Sequence, residues 1–225
     1  GPSGSPGPIG PTGPAWPSGS PGAKGDKGDS GIVALSLSTD SSAFNNTTQV
    51  GIGANGGTNG GTSVGQYPIY GYMSSVRMVK GTAVYTSAFT PPTAPLAATQ
   101  GAGTNISAVS GTQTSLLTCQ DSTFKDNSTN AYTVTPIGDA KPLAVSPFTP
   151  NSYSSTAITT YGSGYFDGTG DYINLTPVLV PATGNFTIEC WIYSLTAAGS
   201  TQRSVYSQFV SAQSGRFMFG LDQSA

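Results

Sequence analysis

The side chains of this 225-residue chain that could do chemistry are few, and their spacing narrows the choice further. There is no histidine, so the commonest general base and metal ligand is missing, and a catalytic triad or most zinc sites would need a substitute. The single glutamate, Glu189, stands two places before Trp191. Glycoside hydrolysis needs two carboxylates flanking one bond, and period-two alternation turns Phe186, Ile188 and Cys190 inward and Glu189 outward. Asp167 and Asp171 flank Gly168-Thr-Gly170 and could join Asp121 or Asp126 around Ca²⁺, yet turn chemistry accounts for all four without a metal. Tyr67, Tyr70, Tyr72, Tyr85, Tyr153 and Tyr161 could stack on sugar rings at an exposed edge; packing with the hydroxyls at the rim is the other reading. Cys119 and Cys190 form no CxxC pair and sit in apolar strand-like runs, where alternation places Cys119 on one face with Leu117 and Cys190 on one face with Ile188 and a free thiol packs as a small hydrophobe. A reducing compartment leaves them unbridged, whereas an oxidising one could close a bridge. The expectation is a chain that is not an enzyme and takes no cofactor or metal, with ligand-binding residues that its spacing does not single out.

The elements that would position these groups are set by an unusual composition. Gly occurs 31 times and Pro 17 times, and only 8 % of residues are charged against about 25 % in an average soluble domain. That excludes a helical bundle. A net charge of −2 leaves no basic stripe for nucleic acid, and no window reaches the roughly 18 apolar residues that span a bilayer, so membrane insertion is excluded too.

The strongest pattern is amino-terminal. Gly1, Gly4, Gly7, Gly10, Gly13, Gly19, Gly22, Gly25, Gly28 and Gly31 fill ten of eleven slots at period three. Three polyproline-II chains can wind together only if every third residue lacks a side chain, because the common axis has no room for a Cβ. Every Pro of this stretch lies in the other two slots, where its fixed φ lowers the entropy lost on winding. A flexible linker holds no such register. Lys24, Asp26, Lys27 and Asp29 add interchain ion pairs between staggered chains, each worth about 0.2–1 kcal/mol. Residues 1–33 are therefore expected to be a collagen-like stalk and the chain a homotrimer. Gly1 opens in mid-repeat without Met, as a piece of something longer would.

From Gly31 onward Ser, Thr, Asn, Gly and aromatic residues dominate. Gly71–Val79, Thr82–Thr86, Ser115–Cys119, Ala131–Thr135, Tyr165–Phe166, Asp171–Leu175 and Asn185–Tyr193 read as strands, with Asp167-Gly-Thr-Gly170 as a hairpin turn. Many short strands with turn signals predict a sandwich. The Asn-x-Ser/Thr matches at Asn45, Asn46, Asn105, Asn127, Asn174 and Asn185 are what abundant Ser and Thr produce by chance.

Tyr165-Phe-Asp-Gly-Thr-Gly-Asp-Tyr-Ile173, followed by Gly184-Asn-Phe-Thr-Ile-Glu-Cys-Trp-Ile192, resembles the opening of the laminin-G-like, concanavalin A-like jelly-roll domains of bacteriophage fibres and large surface proteins. Ser115–Phe124 and Lys125–Thr129 are similar to that domain's first strand and turn, and Ile69–Tyr85 with Phe89-Thr-Pro-Pro92 resembles its closing strands. The order is inverted: residues 34–98 carry the closing half, 99–112 a Gly/Ser/Thr/Ala linker and 113–225 the opening half. One permuted sandwich and pieces of two tandem domains are the alternatives, and the family's middle segment is at best vestigial around Ile32–Ser38. The resemblance implies an all-β chain with a laminin-G-like jelly-roll sandwich behind the stalk. It also implies a structural and adhesion role in a virion fibre, with other virion or fibre proteins and a host surface glycan as partners. A secreted protein forming extracellular or cell-surface filaments and a glycan-binding lectin are the alternatives.

Trp16 occupies a glycine slot, and an indole cannot sit on a triple-helix axis. Trp16→Gly should raise the melting temperature of the stalk by several degrees in circular dichroism. No change, or a fall, would mean that the indole packs productively outside the axis.

Overall fold

The computed structural model describes residues 50–55, 65–148, 162–175, 184–195, 202–209 and 216–221. The stalk glycines with Lys24, Asp26, Lys27 and Asp29, Trp16, the Ile32–Ser38 stretch, Asn45, Asn46, Tyr153 and Tyr161 lie outside them. The described residues all belong to one unit, Val33–Ala225. They hold ten strands and no helix: β1 Val50–Ile52, β2 Tyr70–Lys80, β3 Thr114–Thr118, β4 Thr135–Ile137, β5 Lys141–Leu143, β6 Ser163–Asp167, β7 Tyr172–Leu175, β8 Phe186–Ser194, β9 Arg203–Phe209 and β10 Arg216–Leu221. Two antiparallel sheets form, one in the order β10-β9-β1-β7-β4 and the other in the order β3-β2-β6-β5 with β8 added on β2. Val50, Ile52, Ile173, Leu175, Val205 and Tyr206 of the first share a core with Met73, Val76, Met78, Leu116, Phe166 and Ile188 of the second. The architecture is β-sandwich-like, and strands from residues 50–80 pair directly with strands from residues 114–209.

β2 is the hub. Its eleven residues pair with β8, with β6 through Tyr70–Met73 and with β3 through Val76–Val79. The change of partner coincides with a bulge between Ser74 and Arg77, where Ser75 takes φ 53° and donates its N–H to the Cys119 carbonyl at 3.1 Å. The extra residue is required by the core pattern. Met73 and Val76 are three apart, which strict alternation would place on opposite faces, yet both are buried in one cluster. The bulge thereby also sets Tyr72 and Arg77 on the same outer face.

Three readings need correction. Asp167–Gly170 is not a hairpin turn, because β6 and β7 belong to different sheets; it is a corner that carries the chain from one layer to the other. Gly168 and Gly170 adopt φ 83° and 75° there, and the fully buried Asp171 ties the corner together. Its Oδ2 accepts the Asp167 N–H at 2.8 Å and its Oδ1 the Asp139 N–H at 2.6 Å. Turn residues encode a reversal but not the sheet to which the chain returns. Thr82–Thr86 is no strand and contributes one bridge, Tyr85 to Ile106; of Ala131–Thr135 only Thr135 is paired. The Gly/Ser/Thr/Ala segment 99–112 supplies Val109 and Ile106 to a second cluster with Val79, Val84 and Tyr85.

Cys119 corrects the alternation as well. β3 ends at Thr118, and Cys119 turns to φ 60°, which brings its side chain into the core beside Leu116 rather than Leu117. Both cysteines are free thiols, with Cys190 packed against the same core. Burial pushes each thiol up to about 12, and for Cys190 the neighbouring Cys119 and Glu189 add to it.

Raised thiols favour the protonated form in the folded state. Their stabilising contribution is complete below the unfolded value of 9.0 and is lost as pH rises from there toward about 12. The slope approaches about 1.4 kcal/mol per pH unit for each thiol. Urea unfolding should therefore give stability falling with pH above 9, with neither thiol modified by Ellman's reagent until the chain unfolds. Flat stability through this window, or rapid reaction of the folded chain, would contradict the burial.

Candidate functional site

The outer face of the β8-β2-β6-β5 layer divides into a covered half and an open half. Arg77 defines the covered half. Its side chain is wholly buried although it points away from the core, because residues 81–113 pass over it as a strap. A buried guanidinium is tolerated only if its donors are met. Nε donates to Glu189 Oε1 at 2.6 Å, Nη2 lies 2.5 Å from the same oxygen and donates to Gln100 Oε1 at 2.6 Å, and Nη1 donates to the Ala97 carbonyl at 2.7 Å. Glu189 Oε2 accepts the Tyr85 hydroxyl. Burial, then the Glu189 charge, holds that phenol well above its ordinary value, so it remains a donor. Tyr85 in turn stacks on Phe89 with centroids 3.7 Å apart.

Glu189 thus lies on the face that alternation assigns to it, opposite Phe186, Ile188 and Cys190, but under a cover that alternation does not reveal. Its carboxylate is committed to Arg77 and Tyr85. The aspartates are committed too. Asp126 accepts the N–H groups of Leu117, Ser128 and Tyr132 at 2.9–3.0 Å and the Ser128 hydroxyl at 2.8 Å. Asp121 takes the Asn127 side chain at 2.7 Å and Lys125 at 3.1 Å, and Asp167 takes the Thr169 N–H at 2.7 Å. Burial raises the Asp171 carboxyl above its ordinary value, against the two N–H bonds that lower it. Among the described residues no three His, Cys, Asp or Glu side chains gather at a point that could hold a metal.

The open half carries a row of aromatic side chains. Tyr72 on β2 is paired directly with Tyr193 on β8 and with Tyr165 on β6, and Tyr165 is paired with Lys141 on β5. Direct partners share a face, so the four side chains cross four adjacent strands in one line. The Tyr72 ring centroid lies 5.3 Å from that of Tyr165 and 6.2 Å from that of Tyr193, and the Lys141 ammonium lies 5.4 Å from the Tyr165 centroid. Tyr193 is 66 % exposed. Two residues before it, Trp191 meets Phe148 edge-on at 5.4 Å and lengthens the aromatic strip. Desolvation, with Tyr70, Tyr72, Asp167 and Asp171 nearby, holds the Tyr165 hydroxyl above its ordinary value, so that phenol is neutral at physiological pH.

Of the tyrosines singled out from sequence, Tyr72 is in the row, Tyr70 lies two residues before it on the same strand, Tyr85 is in the strap and Tyr67 is a half-buried loop residue at φ 55°. Tyr165 and Tyr193, the other two members of the row, are not among them. Alternation from Phe186 gives the outward direction of Tyr193, but nothing local shows that β8, β2 and β6 align three tyrosines.

No protein-family model matches the chain, and neither a curated protein nor a solved structure matches it.

Removing one partner of the covered pair leaves the other charge buried alone. Glu189→Ala should cost about 3–5 kcal/mol in urea unfolding, whereas the joint change of Arg77→Met with Glu189→Met should recover a large part of that loss. A single-variant cost below about 1 kcal/mol, the range of exposed pairs, would contradict a sealed strap.

Proposed function

We propose that the protein is a non-enzymatic structural and adhesion subunit of a bacteriophage-type fibre. In this reading residues 1–33 wind into a homotrimeric collagen-like stalk, and the β-rich remainder, of the laminin-G-like jelly-roll kind, is presented to a host surface. The observation that carries it is the glycine register, ten of eleven slots at period three. At ~3.1 Å per residue such a stalk would be roughly 100 Å long, a spacer that holds three sandwiches away from the body that bears them. Three copies on one stalk suit weak surface recognition, because linked sites gain avidity without any new contact. The commitment of Glu189 and of Asp121, Asp126, Asp167 and Asp171 to structural partners supports a role without catalysis.

Light scattering on the full chain should give three copies per particle. Circular dichroism should show a cooperative triple-helix melt, and bacterial collagenase should release monomeric β-rich product. Gold-labelled antibody should decorate fibres on virus particles. A monomeric chain without that melt would overturn the stalk, and label confined to cell-surface filaments would overturn the virion assignment.

A further inference from the structure

We propose that the Tyr193-Tyr72-Tyr165 row is a binding platform for a neutral, extended, β-linked oligosaccharide whose pyranose rings stack on successive tyrosines. The inference deepens the adhesive part of the proposed function and rests on it for its setting. The face is built rather than incidental. Three phenols occupy directly paired positions on three adjacent strands, and a fourth strand closes the row with Lys141 held over the last ring. Pairing of this kind fixes the Cβ positions, and a tyrosine has only two side-chain torsions to order on binding. At Gly71, next to Tyr72 and opposite Ser194, an added Cβ would collide with the Tyr193 carbonyl, and φ is 147°. The close approach of β2 and β8 at the row therefore depends on that glycine.

The ring geometry selects the ligand. Centroid separations of 5.3 and 6.2 Å are comparable to one pyranose unit, and the rings are tilted by 51° and 48° instead of being coplanar. Three separate faces, each turned from the last, suit a chain of linked rings that rotates from unit to unit and do not suit one wide flat aromatic molecule. Each phenol also offers a hydroxyl that can donate to or accept from a sugar hydroxyl. Charge argues for a neutral ligand: Lys141 is offset by Asp167, two residues from Tyr165, and by the exposed Asp139, two residues from Lys141. A polyanion would find no net attraction here.

The test is calorimetric titration of the full chain with cellohexaose, xylohexaose and chitohexaose. At least one should bind. Tyr193→Ala and Tyr72→Ala should each weaken that binding ~tenfold or more, Tyr193→Phe should keep most of it, and added salt should leave it unchanged. Circular dichroism of each variant verifies the fold, and the 66 % exposure of Tyr193 makes its replacement harmless to the core. No binding of any of these sugars, binding indifferent to both alanine variants, or binding only of polygalacturonate or a proline-rich peptide would overturn the inference. Attachment of the labelled full chain to bacterial cells, measured in parallel, separates the two levels. Attachment without sugar binding refutes the platform and leaves the adhesive reading standing, whereas sugar binding without attachment supports the platform and removes that reading.

Discussion

A cation buried on the wrong side of a sheet governs much of this structure. Arg77 points away from the sandwich core and yet is wholly excluded from water, so each of its donors must find a partner within the protein. Glu189 of the neighbouring strand supplies one anchor, while Ala97 and Gln100 of the strap supply the others. The guanidinium therefore ties together three parts of the chain that are distant in sequence. Its charge is a constraint more than a source of stability, because the desolvation of a buried pair offsets most of its attraction. What the pair secures is a single placement of residues 81–113: a strap displaced by a few ångströms would leave an unmet charge.

The strap accounts for the division of the outer face. Where it passes, Val79, Val84 and Val109 form a small second core; the Ser107 N–H donates to the Val84 carbonyl within the strap, and the Lys80 N–H of β2 donates to the Gln113 carbonyl at its end. Where it does not, the same layer presents tyrosines. Both halves depend on the bulge at Ser75, which changes the parity of β2 so that Tyr72 and Arg77, five positions apart, emerge on one side. One irregular residue thus decides that the hub strand carries a sealed ion pair at one end and an open aromatic row at the other.

Some of this is legible in the sequence. The inward set Phe186, Ile188 and Cys190 follows from alternation, and the runs that became β2, β3 and β8 carry the β-branched and aromatic residues that a pleated half-buried surface requires. The failures have a common cause. Asp167–Gly170 has the composition of a reversal whether the chain re-enters the same sheet or crosses to the other. Cys119 departs from its expected face because the strand ends one residue earlier and the backbone turns left-handed. Arg77 and Glu189 are 112 positions apart, and Tyr72 and Tyr193 meet only through strand order. Local pattern specifies which face a residue takes within its strand; register and cover are properties of the assembled sheets. The short strands β1, β4 and β5, three residues each, are below the length at which alternation is detectable at all.

Residues 81–113 are an integral layer of the fold, clamped by the bonds from Arg77 to Ala97 and Gln100. Native-state hydrogen exchange tests this most directly. The N–H groups of Gln100, Ser107 and Val109, all bonded to backbone carbonyls at 2.8–2.9 Å, should be protected to nearly the same degree as those of Arg77–Val79 in β2 and should open with them. Exchange of the strap amides at the rate of an unstructured peptide, while β2 stays protected, would contradict the account.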